Sequence, residues 1–218
     1  MAGMGLVAII DYGSGNLCSA EKALWAAAGR ADLRRDIRIT DDPDLVATAD
    51  YIVLPGVGAY GDCAAGLRAR PGLIDAMTHT ARARARPFLG ICVGAQLLST
   101  RGLEHGAHDG LDWIAGETTR LDLGGGARTL PHMGWNEVKV LRTHPLFEGL
   151  GAAPAHFYFA NSYAVTPLDP AHLLAESEHG APFAAAIASD TLAGVQFHPE
   201  KSQAAGLGLL ANFLSWAP

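Results

Sequence analysis

The chain has 218 residues, 49% apolar and 17% charged, and its 16 Lys and Arg against 22 Asp and Glu leave a formal charge of −6. That apolar content is enough for a core in one domain, taken as 1–218, and excludes intrinsic disorder. The acidic balance lacks the clustered cations that nucleic acid demands. No run approaches the ~18 apolar residues of a membrane span.

Met1 to Ile10 has no cationic flank or small-residue cleavage site and runs straight into Asp11 and Gly13, so it reads as a first strand and the protein as cytoplasmic. Its apolar run is Leu6–Ile10, and Asp11-Tyr-Gly-Ser-Gly-Asn16 makes a turn. Leu17, Ala20, Leu24 and Ala28 recur at helical spacing until Gly29 stops them. Asp41-Asp-Pro43 can cap a short helix. Tyr51–Leu54 is the next strand and breaks into Pro55-Gly-Val-Gly58; a helix from about Gly72 to Arg84 leads to the strand Pro87–Ile91. Arg82, Arg84 and Arg86 coat the end of that helix. Beyond residue 110, strands follow with little helix between them: Trp113–Leu121, Asn136–Leu141, His156–Val165, Phe183–Ser189 and Leu192–Phe197. A last helix carries Leu207, Leu210, Ala211 and Leu214 on one face. The pattern is α/β, a doubly wound, mostly parallel sheet of flavodoxin-like type extended by antiparallel strands.

Cys18, Cys63 and Cys92 are three, with no C-x-x-C pair, so neither a disulfide framework nor a structural zinc site is expected. Each of the three, taken alone, reads as a small buried hydrophobe. Cys92 stands apart. Gly90-Ile-Cys92-Val-Gly94 follows a strand directly and precedes the helix-compatible Ala95–Leu98, which is a nucleophile elbow with Cys in place of Ser. Glycines two before and two after relieve the crowding of the turn, and the helix N-terminus favours a thiolate. Downstream, His198 ends the apolar strand of Gly194-Val-Gln-Phe-His198-Pro-Glu200, and Glu200 can orient its imidazole across the turn at Pro199. Parallel strand tips meet at one edge, so Cys92, His198 and Glu200 can form a triad for acyl transfer. Glycines in Pro55-Gly56-Val57-Gly58 permit a peptide flip that aims an N–H at a developing oxyanion, with the Val93 N–H as the second donor. No phosphate-binding loop is present.

These elements in this order, with Gln96 and Glu104, resemble the class I (Cys-His-Glu) glutamine amidotransferases over essentially the whole chain. Four segments, Asp11–Asn16, Pro131–Asn136, Tyr158–Tyr163 and Phe197–Gln203, point to the branch of that family that works in histidine biosynthesis beside a cyclase making imidazole glycerol phosphate. The resemblance implies that Cys92 attacks the amide of glutamine, His198 shuttles protons and Glu200 holds it. It implies that Gln96, Glu104 and the backbone around Ser162 and Tyr163 grip the substrate. It also implies a heterodimer with a (β/α)8-barrel cyclase that receives the ammonia, with Trp135, Lys201 and Asn16 at the interface. For Trp135 a core position is the plain alternative. No cofactor or metal is implied. Asn161 stands where the family usually has His, Ala95 where Met is common and Val93 where Leu is common. Ala95 leaves room for a neighbour to fill.

Three rival readings remain: the glutaminase component of another complex, such as anthranilate or pyridoxal phosphate synthase, an inactive partner-stabilising protein, and a Cys peptidase or chaperone. The Gly-Trp-Asn and Glu-Lys-Ser-Gln strings weigh against the first. The intact triad weighs against the second, and Gln96 and Glu104 against the third.

Overall fold

In the computed structural model, which describes residues 4–125, 128–150 and 155–218, the Leu6–Ile10 run does form a strand, β1 (Gly5–Ile10). Met1–Gly3 of the leading segment lie outside the described residues. Val7 to Ile10 are all fully buried. Successive strand residues face opposite ways, so both faces of the sheet must be covered there. Helix α1 (Leu17–Arg30) follows and buries Ala20, Ala23, Leu24, Ala27 and Ala28. Next come β2 (Arg35–Thr40) and α2 (Pro43–Thr48), whose first turn is closed by the Asp42 carboxylate accepting from the Asp44 N–H at 3.0 Å. After β3 (Tyr51–Gly56) the chain forms α3 (Tyr60–Arg68) and α4 (Leu73–Thr78), then a π-helical turn over His79–Ala83 that ends the segment expected as one helix. Arg84 donates to the carbonyls of Ala47 and Ala49 at the end of α2, at 2.6 and 2.9 Å.

Strand β4 (Phe88–Cys92) and the single turn α5 (Val93–Gln96) make the elbow. Short strands β5 (Arg101–Gly102) and β6 (His108–Asp109), then β7 (Gly116–Arg120), follow. The long antiparallel run is β8 (His132–Val140), β9 (Ala155–Asn161), β10 (Tyr163–Pro167), β11 (Leu173–His179), β12 (Ala181–Ser189) and β13 (Leu192–Val195), closed by α6 (Gln203–Ser215).

The main sheet has nine strands in the order β2-β1-β3-β4-β13-β12-β11-β8-β9. The first five pair in parallel and the rest antiparallel. The five parallel strands have the flavodoxin-like order, and the antiparallel extension adds four more. Strands β10-β7-β5-β6 form a second, small sheet. Helix α1 packs on α6, while α2 and α3 pack on α4.

Five expectations shift. Cys18 is exposed on α1 and not buried, while Cys63 and Cys92 are buried. The single strand His156–Val165 is two strands in different sheets, parted at Ser162. Arg35–Thr40, Tyr60–Arg68 and Leu173–His179 are regular elements that local pattern did not announce. The strand expected over Trp113–Leu121 is confined to Gly116–Arg120. Helix α6 buries Leu209, Leu210, Phe213 and Leu214, while Leu207 and Ala211 are only partly covered.

Candidate functional site

Cys92 ends β4 with φ 55° and ψ −114°, a region that non-glycine residues enter only under strain and that clusters at functional sites. The neighbouring glycines show why the turn is possible. A Cβ on Gly90 would stand 2.6 Å from the Gly94 carbonyl oxygen, and one on Gly94 would overlap the Leu54 carbonyl. Gly56, the register partner of Cys92 across β3 and β4, would place a Cβ 2.6 Å from the Gly94 nitrogen. The elbow is therefore a three-backbone close approach. The helix behind it is one turn, Val93–Gln96, two residues earlier than the Ala95–Leu98 expected and too short to bring a long macrodipole to bear on the sulfur. Ala95 packs against Gly194 of β13, where a Cβ would lie 2.9 Å from the Ala95 methyl; the missing side chain of Gly194 lets the strand close that space.

His198 follows β13 and is 3% exposed. Its Nδ1 lies 2.8 Å from Glu200 Oε1, so the carboxylate sets which ring nitrogen faces away from it. Burial alone pulls the imidazole pKa down, but hydrogen bonding to Cys92 and to Glu200, with their charges, outweighs it and raises the value to about 9. The Ser202 hydroxyl donates to the His198 carbonyl at 2.6 Å, and the His198 N–H donates to the Tyr158 carbonyl at 2.8 Å. Thiol, imidazole and carboxylate meet at the carboxyl ends of β4 and β13, where open α/β sheets place their sites.

Gly56, Val57 and Gly58 lie beside the thiol, with Gly58 at φ +95°. The Val57 N–H, however, donates to Ser14 Oγ at 3.3 Å, and the Ser14 hydroxyl donates to the Val57 carbonyl at 2.7 Å. Cys63 Sγ donates to the same carbonyl at 3.3 Å. In this conformation the Val57 N–H is engaged by Ser14, on the first turn of the chain. Burial pushes the Cys63 thiol up, so Cys63 stays a neutral donor.

A cavity of about 300 Å³ is lined by Val57, Gly58, Cys92, Val93, Gln96, Glu104, Asn161, Ser162, Tyr163, His198 and Lys201, among others. Glu104 Oε2 accepts the Tyr60 N–H at 2.8 Å, which leaves its other oxygen free. Gln96 is buried and donates to the Tyr163 carbonyl and to Gln196 Oε1, both at 3.0 Å. Ser162, where β9 and β10 part, and Tyr163 line the cavity. Asn161 Nδ2 also donates to the Tyr163 carbonyl, at 3.0 Å, while its buried Oδ1 has no partner. Gln196 and Ser14 were not singled out from the sequence. The signal for Gln196 was available, since strand alternation puts it on the same side as His198.

Trp135 is 47% exposed and so is no core aromatic. It meets Tyr158 edge-on with centroids 6.3 Å apart, and Lys201 Nζ lies 5.7 Å over the same Tyr158 ring. This exposed aromatic and cationic group adjoins the cavity. Asn16 is exposed at the start of α1 and makes no side-chain cap; it lines a narrow cleft with His198 and Glu200. Among the described residues, no group of three or more His, Cys, Asp and Glu is arranged to hold a metal ion.

The family model "Glutamine amidotransferase class-I" matches residues 8–216. The chain belongs to this family. Among its class I amidotransferase relatives is "Imidazole glycerol phosphate synthase subunit HisH" of Caulobacter vibrioides, 56% identical over 215 residues, 99% of this chain and 100% of that one. The protein of the same name from Mesorhizobium japonicum is 52% identical over 214 residues, 97% and 99% of the two chains. A crystal structure of a glutamine amidotransferase shares the fold at TM-score 0.71, with 17% identity and 97% and 98% coverage. A glutamine amidotransferase from Thermotoga maritima does so at 0.66, with 15% identity and 98% and 97% coverage. Among the described residues of this amidotransferase, no helix is long and apolar enough to cross a membrane.

Proposed function

We propose that the chain, acting as one domain over 1–218, hydrolyses glutamine to glutamate and ammonia at Cys92, His198 and Glu200. It then passes the ammonia to a cyclase partner with a (β/α)8 barrel, which makes imidazole glycerol phosphate in the cytoplasm. The observation that carries the chemistry is the buried His198, held by Glu200 at 2.8 Å and facing the strained Cys92 in one cavity. The names of the relatives at 56% and 52% identity support the pathway.

The Cys92 sulfur attacks the side-chain amide carbon, and the C=O electrons move onto oxygen. The Val93 N–H, with the Val57 N–H once its peptide turns away from Ser14, stabilises that oxyanion. Collapse breaks the C–N bond, and the proton carried by His198 goes to the departing nitrogen, releasing ammonia and leaving a γ-glutamyl thioester. Water, deprotonated by His198, then attacks the thioester carbon, expels the sulfur and yields glutamate. Glu200 holds the imidazole and stabilises its protonated form. The free oxygen of Glu104 and the side-chain carbonyl of Gln96 accept from the substrate ammonium, while backbone at Ser162 and Tyr163 fixes its carboxylate end. Trp135, Lys201 and Asn16 form the docking face for the cyclase.

The test is the Cys92→Ala variant assembled with the cyclase. Glutamine-dependent product formation is lost, and product formation with added ammonia is kept. Glutamine hydrolysis persisting in that variant overturns the assignment.

A further inference from the structure

Gln196 is 3% exposed and no part of the proposed reaction has yet used it. It lies one residue past β13, whose Val195 is the register partner of Ile91, so it runs alongside Cys92. In a parallel pair, side chains at matched positions share a face, and His198, two residues on, shares it too. Gln196 therefore approaches the sulfur from within the sheet while His198 approaches from beyond it.

The polarity of the amides here follows from one anchor. The backbone carbonyl of Tyr163 can only accept, so the Gln96 atom 3.0 Å from it is the amide nitrogen. That same nitrogen lies 3.0 Å from the Gln196 side chain, which must present its oxygen there. The remaining end of Gln196, 3.7 Å from Cys92 Sγ, is then its NH2 group. Donors run from Gln96 to Gln196 and from Gln196 to the sulfur. With both Gln96 N–H bonds spent on Tyr163 and Gln196, its oxygen is the atom left for the cavity.

We propose that Gln196 is a positioning residue for this reaction: its amide N–H holds the Cys92 sulfur and stabilises the thiolate, while its carbonyl locks Gln96 with an acceptor facing the substrate ammonium. One side chain thereby couples the reacting sulfur to the substrate clamp. The proposal rests on the glutaminase reading of Cys92.

Two substitutions in the full chain, assayed with the cyclase partner, separate its two halves. Gln196→Glu keeps an acceptor for Gln96 but replaces the N–H on sulfur by a negative charge. It should move the acidic limb of the kcat/KM profile for glutamine upward by about one pH unit and change KM less than about twofold. Gln196→Met removes both functions, so KM should rise about 5- to 10-fold as Gln96 loses its lock, along with the shift of the limb. Thermal melts accompany each variant, and Gln196→Met decides the matter should the carboxylate prevent folding. A wild-type pH limb and wild-type KM in the folded variants overturn the proposal. So does a lowered melting temperature with kcat reduced and the pH limb in place, since that marks a merely structural glutamine. Cys92→Ala is the control that keeps the two readings apart. If it still turns glutamine over, the Cys92 reading fails; if it is dead and Gln196→Glu keeps the wild-type limb, only the role of Gln196 fails.

Discussion

Ser14→Ala should make the isolated chain a better glutaminase. The Ser14 hydroxyl bridges the two peptides that flank the Val57 Cα, accepting from the Val57 N–H at 3.3 Å and donating to the Val57 carbonyl at 2.7 Å. While these bonds stand, the Val57 N–H cannot serve an oxyanion at Cys92. A neutral hydrogen bond contributes about 0.5–1.5 kcal/mol net, and this pair is solvent-exposed, so the two together hold the present peptide orientation by roughly 1–2 kcal/mol. The Cys63 Sγ bond to the same carbonyl at 3.3 Å survives the substitution. Removing the hydroxyl should therefore raise the population of the turned peptide, and with it the basal rate of glutamine hydrolysis, by about 5- to 30-fold. On the proposed function the cyclase and its ligand turn the peptide themselves, so the rate of the complex should stay within about twofold of wild type. The assay is glutamate release by the isolated chain and by the complex, with circular dichroism to establish folding. A basal rate that stays at the wild-type level in a folded Ser14→Ala chain refutes the idea that Ser14 restrains the peptide.

Gly94→Ala places a methyl onto the Leu54 carbonyl and should cost about 3 kcal/mol or more, read as a fall in the urea midpoint; an unchanged midpoint means the elbow is looser than described. His132 is stacked between His179 and Phe159, at 4.2 and 4.9 Å. Burial first, then the charges of His179 and Arg128, lower its pKa to about 4. Because the unfolded chain takes up that proton near pH 6.5 and the folded chain only near pH 4, its contribution to stability is present above pH 6.5 and is lost as pH falls between the two values. Between about pH 7 and pH 5 the loss should be about 2 kcal/mol, and His132→Phe should remove that slope from urea titrations; a slope identical to wild type refutes the assignment. Trp135→Ala should raise the calorimetric Kd for the cyclase about 30-fold, as truncation of an aromatic anchor does, and an unchanged Kd removes Trp135 from the docking face.

Much of the parallel half was legible because its code is local. The runs at Leu6–Ile10, Tyr51–Leu54 and Pro87–Ile91 are apolar throughout, as strands covered on both faces must be, and the Asp42-Pro43 cap sits within one turn. Arg35–Thr40 escaped because an edge strand alternates charge with apolar residues. Tyr60–Arg68 escaped because Gly61 and Gly66 argue against helix. Those glycines answer to neighbours instead: a Cβ on Gly66 would meet the Tyr12 carbonyl at 2.8 Å, and one on Gly61 the His108 ring.

The identities of Cys92, His198 and Glu200 could be read from sequence because an elbow needs glycines at fixed offsets and His-Pro-Glu spans a single turn. Their meeting was decided by the fold, which sets β13 parallel to and beside β4. The family resemblance marked Gln96, Glu104 and Asn161 as residues of interest. Only the folded chain decided which end of each amide faces where, because a side-chain amide takes its orientation from partners on other strands: Gln96 from Tyr163 and Gln196, and Gln196 in turn toward Cys92. Only the fold decided that Trp135 is exposed beside Lys201, since a lone aromatic fits core and surface equally. The Val57 peptide is the clearest division. Flanking glycines leave both of its orientations open, and the choice rests on a hydroxyl 43 residues away, at Ser14.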